Sequence, residues 1–348
     1  MTCYEVTVQR DPPAGYDSIV GASGSFYHHP AWIEGLARCF RFDSVFITAA
    51  RGGVLVGALP LALVPPLLAG RRLVSLPFSY AAGPVGRDAN TRAVLYDAAR
   101  SYAVERGIRR LEIKSIGDSL PTPDGFVRTT RYSTYRVSTK AGIDDVWQRL
   151  HAGSTRRGIK KSQREGVIVE RSAGAEGWAL MAQLQHVTSH RLGLPAPPTR
   201  FFTDVAHGLE QLGLAQLYLA RLPSGQLAAA IVCWKSPREW IYGFGASLRQ
   251  HSDARPTHAL LWAAINDATT AGADFDLGRA APEQAGLVEF KRRWGGEPIP
   301  LSYDHWPSAA GLNTRPRDRG GLAVLNRMWS ALPAAVARRG SFLYRYLG

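Results

Sequence analysis

Two stretches of this chain, about 170 positions apart, spell the same local structure. Residues 45–64, VFITAARGGVLVGALPLALV, and residues 214–234, LAQLYLARLPSGQLAAAIVCW, each set two apolar runs around a glycine turn, with Arg51 and Arg221 in matching places. Extended runs of branched residues joined by a tight glycine turn predict an antiparallel hairpin. In both halves a helical pattern and a short strand follow: NTRAVLYDAARSYAVERG leads into RRLEIKS, and HALLWAAINDATTAG leads into ADFDLGR. The chain therefore reads as two copies of one unit, each a hairpin, a covering helix and a further strand. That is α+β architecture with mixed, mostly antiparallel sheets, rather than a doubly wound sheet. Dinucleotide and P-loop fingerprints are absent. SLPFSYAAGPVG, residues 75–86, follows a strand without either glycine spacing and reads as a loop lining a cleft.

Length agrees with two cores, since 348 residues exceed the roughly 250–300 that one core usually serves. The expected division is 1–140, 141–306, and a linker with a helical tail over 307–348. Hydrophobic residues at 45% and charged residues at 20% fit a globular protein. No apolar run reaches the roughly 18 residues of a membrane span. Three cysteines, Cys3, Cys39 and Cys233, are odd in number and far apart, and the start MTCYEVTVQRDPP has no apolar stretch behind basic residues. These features predict a cytoplasmic protein without disulfides. With no HExxH or CxxC, no bound metal is expected. The nine histidines include His28 and His29 ahead of a helix, but no serine sits in a nucleophile elbow, so a triad hydrolase is not expected.

The formal charge of +14 favours anionic partners: nucleic acid, phosphorylated metabolites or an acidic membrane face. Its densest expression is STRRGIKKSQREGV, residues 154–167. Ser154 or Thr155 can cap a helix there and Gly166 can end it. Arg156, Lys160 and Arg164 then share one stripe, with Arg157 and Lys161 beside them. Like charges at this spacing destabilise a helix, and cations in its first turn oppose the dipole. The arrangement is either a solvated basic face or the seat of a phosphate-bearing ligand. Farther on, residues 307–321 read as a linker, and GLAVLNRMWSALPAAVARRGSFLYRYLG reads as a helical tail split by Pro333. That tail either packs on the body or, being basic and amphipathic, makes a peripheral contact with the inner face of a membrane through residues 320–348.

GLVEFKRRWGGEP, residues 286–298, sets a lysine and two arginines between two aromatics and a double glycine. A helix over 283–294 would place Leu287, Phe290 and Trp294 on one apolar stripe, with Gly295 and Gly296 as a left-handed cap. Lys291 lies beside that stripe. On spacing alone the three cations complement the negative end of the helix dipole.

The tract DFDLGRAAPEQAGLVEFKRRWGGEPIPL resembles the C-terminal signature of the FemABX-like branch of the GNAT acyltransferases, in which a D-x-G-R strand end precedes a helix carrying F-K-x-x-[WF]-G. STRRGIKKSQREGV resembles that group's basic helix, and HRLGLPAPPTRFF, residues 190–202, resembles its proline-rich segment. The three occur in order and cover most of residues 150–305. The resemblance implies two tandem GNAT-like domains and acyl transfer to an amine, with aminoacyl-tRNA or an acyl thioester such as acyl-CoA as co-substrate.

It further implies that Phe290 and Lys291 line the second domain's channel, with the lysine stabilising a developing oxyanion, which an ammonium on a rigid helix can do. Arg292 and Arg293 would face phosphates or solvent. Asp276 or Tyr242 could take the amine's proton. Equally, Asp276 could cap the next segment or pair with Arg279, and Tyr242 could be an ordinary strand aromatic. GASLRQHSDARPTHALLW stands where acyl-CoA acetyltransferases carry a glycine-rich pyrophosphate loop, and instead offers Arg249, His251 and Arg255 near a helix start. No heptad stretch supplies the coiled-coil arm of the cell-wall transferases. The first departure favours aminoacyl-tRNA and the second an acyl thioester, with tRNA slightly ahead. A nucleic-acid-binding protein on the same scaffold, without catalysis, is the alternative of another class.

Overall fold

The computed structural model describes residues 4–65, 70–86, 88–117, 121–172, 174–307 and 326–346. The chain forms two compact units: residues 1–132, 300–318 and 345–348 make the first, and residues 133–299 and 319–344 the second.

In the first unit, β1 (Glu5–Gln9), α1 (Tyr16–Ser23) and α2 (Pro30–Phe40) precede the expected hairpin, β2 (Asp43–Arg51) and β3 (Val54–Val64). β4 (Arg72–Val74), β5 (Val85–Gly86), α3 (Ala89–Glu105), β6 (Arg110–Ile116) and β7 (Val127–Val137) follow. Within the first unit the sheet order is β1-β2-β3-β4-β6. β4 and β6 run parallel over Arg72–Val74, whereas the hairpin is antiparallel. α3 begins where Asp88 accepts a hydrogen bond from Thr91 N at 2.6 Å, a side-chain cap of the kind that fixes a helix start. Its Leu95, Tyr96 and Ala99 pack with Ile47, Leu59 and Leu111 of the sheet as the core.

The loop over 75–86 is buried rather than lining an open cleft, with Leu76 and Phe78 at φ 57° and 60°. His28 holds it: the ring accepts from Ser25 N at 3.1 Å through Nδ1 and donates to Gly83 O at 2.8 Å through Nε2. His29 caps α2 by accepting from Ala31 N. Both histidines thus serve packing and capping.

The second unit contains α4 (Ile143–Arg149), α5 (Arg157–Arg164), β8 (Ile168–Ser172), α6 (Ala175–Arg191) and α7 (His207–Gln211). Then come the second hairpin, β9 (Ala215–Arg221) and β10 (Leu227–Lys235), and β11 (Glu239–Ser247), α8 (Pro256–Thr270), β12 (Asp274–Asp276) and α9 (Ala285–Arg293). β13 (Glu297–Trp306) is the last strand. The order β12-β11-β10-β9-β8 repeats that of the first unit, and β11 and β12 are again a short parallel pair, over Glu239–Ile241. The core is built from α8 (Leu260, Leu261, Ala264, Ile265) against Tyr218, Ile231 and Phe275.

The expected boundaries at 140 and 306 need correcting. The chain leaves the first unit within β7, whose Arg136 and Val137 pair with Asp276 and Phe275, and β13 pairs with β6 through Leu301–Trp306. Each sheet is therefore completed by a strand from the other half of the sequence, which a local pattern cannot disclose. In the first unit buried Asp304 fixes β13, accepting two bonds from Arg128 at 2.7 and 2.9 Å and one from Tyr96 OH at 2.7 Å. Pro333 does split the C-terminal segment: residues 326–331 are helical, and the helix Ala334–Arg339 starts directly after the proline. The linker expected over 307–321 lies outside the described residues beyond Pro307. Cys39 and Cys233 are free buried thiols, and among the described residues no helix is long and apolar enough to cross a membrane.

Candidate active site

The site is assembled within the second unit where β11 and β12 part. Beyond Asp276 the chain follows β7 instead of β11: Leu277 N donates to Tyr135 O at 2.8 Å, and Ala280 and Ser133 exchange a bonded pair at 2.9 and 3.1 Å. β11 runs on to Ser247 alongside β10 alone among the described residues. A bulge marks the start of this stretch, because Val232 faces Phe244 while Cys233 faces Tyr242, leaving Gly243 as the extra residue. Gly243 and Gly245 lack side chains for steric reasons, since a Cβ on either would collide with the Trp234 ring or the Tyr242 phenol. The result is a half-exposed strand edge with bare backbone at Tyr242–Gly245.

α9 stands over this parting. It begins near the expected position, and its end is the double-glycine cap: Gly295, at φ 76°, donates to Arg292 O at 2.9 Å and Gly296 to Lys291 O at 3.0 Å. The apolar stripe grades outward, with Trp294 buried, Phe290 half-buried and Leu287 37% exposed. Lys291 is 3% exposed. Its Nζ donates to the carbonyls of Leu277 and Gly278 and, at 3.2 Å, of Arg279. The Tyr135 ring centre lies 5.7 Å from the nitrogen. An ammonium has three hydrogens, and all three are directed at this turn. The expectation that the lysine faces a reacting carbonyl is therefore changed: it holds the D-L-G-R turn and lends it positive charge. Burial lowers its pKa to about 8, although nearby Asp276 pulls the other way.

Asp276 is fully buried; its Oδ1 accepts from Thr134 Oγ1 at 2.5 Å and from Gly278 N at 2.6 Å. It caps the turn from inside, the structural alternative to a base. Tyr242 is half-buried, and burial raises its phenol far above the ordinary range. A phenol so held can donate a hydrogen bond but does not abstract a proton near neutrality. The acid that does titrate there is Glu239, paired with Arg136 at the start of β11. Burial and then Asp276 raise it to about 7, against the opposing pull of Arg136. No sequence pattern marks Glu239, because both neighbours reach it only through folding.

The basic stretch is a helix that starts earlier than expected. A π-helical turn, Ala152–Arg156, runs into α5, and Gly166 follows its end at φ 67°. Ser154 and Thr155 consequently lie inside the helix instead of capping it. Thr155 Oγ1 donates to Arg293 O at 3.0 Å, and His151 N to the same carbonyl at 2.9 Å, so the end of α9 is bonded to the basic helix. Arg156, Arg157, Lys160 and Arg164 line an open concavity of about 820 Å³ with Ala152 and Gln163, and no carboxylate. Lys161 is half-buried outside that lining. Arg292 and Arg293 are exposed on α9, Arg293 bonding Glu289 at 2.7 Å. Arg279 is exposed on the turn, and Arg249 is exposed in the 3₁₀ segment Arg249–Ala254 ahead of α8. Arg249 is thus not part of the concavity. Arg255 sits at the start of α8 in a left-handed conformation, φ 56°, with Pro256 next. His258 joins the three helices: its ring packs against Gly158 of α5, where a Cβ would collide with it, and lies 5.7 Å from the Trp294 ring. Burial first, and Arg255 second, lower its pKa to about 4.

A mixed sheet with a short parallel pair recurs in both units, and in the second a cation-bearing helix stands over the place where that pair parts. Residues 149–292 match the family described as Acetyltransferase (GNAT) domain. The structure of FemX has a similar fold, at 16% identity and a TM-score of 0.67, over 86% of this chain and 96% of that one. L-PGS from Bacillus licheniformis does too, at 12% identity and 0.55, over 93% and 99%. The C-terminal domain of a putative lysylphosphatidylglycerol synthetase from Agrobacterium fabrum is also similar, at 15% identity and 0.55, over 90% and 94%. No curated protein matches the sequence. Residues 149–292 thus match a GNAT domain by sequence, and the chain as a whole shares the fold of FemX.

Proposed function

We propose that the protein transfers an acyl or aminoacyl group from a large anionic donor to an amine, forming an amide. The observation that carries this reading is the bonded link between the concavity on α5 and the turn held by Lys291. Donor phosphates seated on Arg156, Arg157, Lys160 and Arg164 would bring the activated carbonyl toward the parting of β11 and β12. There the amine attacks, the carbonyl oxygen takes up negative charge, and the buried cation of Lys291 stabilises it through the turn. Phe290, half-buried on the same helix, would flank the acyl group. Tyr242 would donate a hydrogen bond, and Glu239 is the acid whose range suits uptake of the amine's proton. Asp276 positions the turn.

Aminoacyl-tRNA is the donor we favour, because α8 starts at Arg255-Pro256 without a glycine loop for pyrophosphate, while the open basic concavity suits a polynucleotide backbone. The bare edge of β11 supports a second donor, an acyl thioester, whose extended amide arm could pair with it as an added strand. Incubation with charged tRNA or with acyl-CoA, each with a panel of amines, separates the two by whether deacylated tRNA or free thiol is released. Release of neither, with polyanion binding intact, would leave a non-catalytic binding protein.

A further inference from the structure

The C-terminal half of α6, the turn after it and residues 326–344 make one face of the second unit. His190 Nε2 donates to Leu332 O at 2.8 Å, and the backbone at Asn326 lies so close to Gly193 that any side chain there would collide with it. His186, Leu194, Trp329 and Arg338 are among the residues lining a half-open cavity of about 260 Å³ between the two segments. These segments keep large apolar groups in water: Met328 and Phe342 are 63% exposed, Leu192 53%, Val336 48%, Val187 47% and Leu194 40%, with Val187 and Leu194 at the cavity itself. Single exposed hydrophobes need no explanation, but six within two packed segments do.

Charge says what covers it. Arg191, Arg327, Arg338 and Arg339 stand exposed among these side chains. Residues 177–203 and 319–348 contain no Asp or Glu. The complementary surface must therefore be apolar within and anionic at its rim, which is the description of a bilayer carrying acidic lipid. We propose that this face docks the protein on an anionic phospholipid surface, with Met328, Val336 and Phe342 entering the headgroup region and the arginines meeting lipid phosphates.

The test is co-sedimentation of the full-length protein with vesicles of phosphatidylcholine alone and of phosphatidylcholine mixed with phosphatidylglycerol. Binding is expected to the mixed vesicles only. The pairs Met328→Ser with Phe342→Ser, and Arg338→Glu with Arg339→Glu, should each weaken it about tenfold or more. Lys160→Gln with Arg164→Gln, on α5, should change it less than about twofold. All six substitutions replace exposed side chains, and the fold can be verified by circular dichroism. Equal binding to both vesicles, or a loss produced by the α5 pair instead, would overturn the proposal. So would a concentration-dependent dimer abolished by Phe342→Ser, which would assign the face to a second copy of the chain.

Discussion

An ammonium withdrawn from water is tolerated when all its hydrogens are bonded, and at Lys291 three successive carbonyls meet that need. Lys291→Met should leave those carbonyls without a donor and cost about 1–3 kcal/mol of stability, read by denaturant unfolding. It should also lower kcat by about a hundredfold or more. The pH dependence has a definite sign. The folded pKa of about 8 lies below the free value of 10.5, so between those limits the unfolded chain holds a proton that the folded one has released. Stability due to this group therefore rises with pH across that window. The proposed transfer should fall above about pH 8 in the native protein, and Lys291→Met should lose that descending limb. The lysine was legible because its helix carries a recognisable pattern. Its carbonyl partners were not, since they come from a turn that only folding brings beneath α9, and Glu239 was hidden for the same reason.

Helix α5 is an element whose charges oppose its own stability. Replacing Lys160 and Arg164 by Gln should raise stability by a few tenths of a kcal/mol while reducing the slope of log affinity for polyanions against log salt by about 1 for each cation removed. If the substitutions leave that slope unchanged, the concavity is not a phosphate seat. The helix is held by close contact, and Gly158→Ala should cost about 1–3 kcal/mol because the new methyl meets the His258 ring. His258 itself sets an acid limit. Its folded pKa of about 4 lies below the free value of 6.5, so the unfolded chain binds the extra proton between them and stability falls on acidification through that range. Between pH 7 and 5 the loss should be on the order of 1–2 kcal/mol and should shrink in His258→Gln. The basic face was plain from residue spacing. The earlier start of the helix was not, because a π-helical turn has no distinct sequence pattern and Thr155 is spent on the Arg293 carbonyl of α9.

For the molecule as a whole, the repeat of hairpin, helix and parallel strand could be read from apolar runs and glycine turns, and both units show it. The exchange of β7 and β13 between the halves could not, because the partners of an edge-completing strand lie far away in sequence and leave no periodicity behind. That exchange builds the candidate site: β7 supplies Thr134, Tyr135 and Arg136, which border Asp276, Lys291 and Glu239 in turn. In the proposed function, anion binding on α5 and chemistry beside α9 are separate tasks of one linked site. Single-turnover transfer at saturating donor, measured together with donor affinity, tests it most directly. Lys291→Met is expected to lose turnover with affinity retained, and the Lys160→Gln, Arg164→Gln pair to lose affinity with turnover retained once donor is saturating. Parallel losses of both quantities in both variants, or no transfer by the native protein from either donor class, would contradict it.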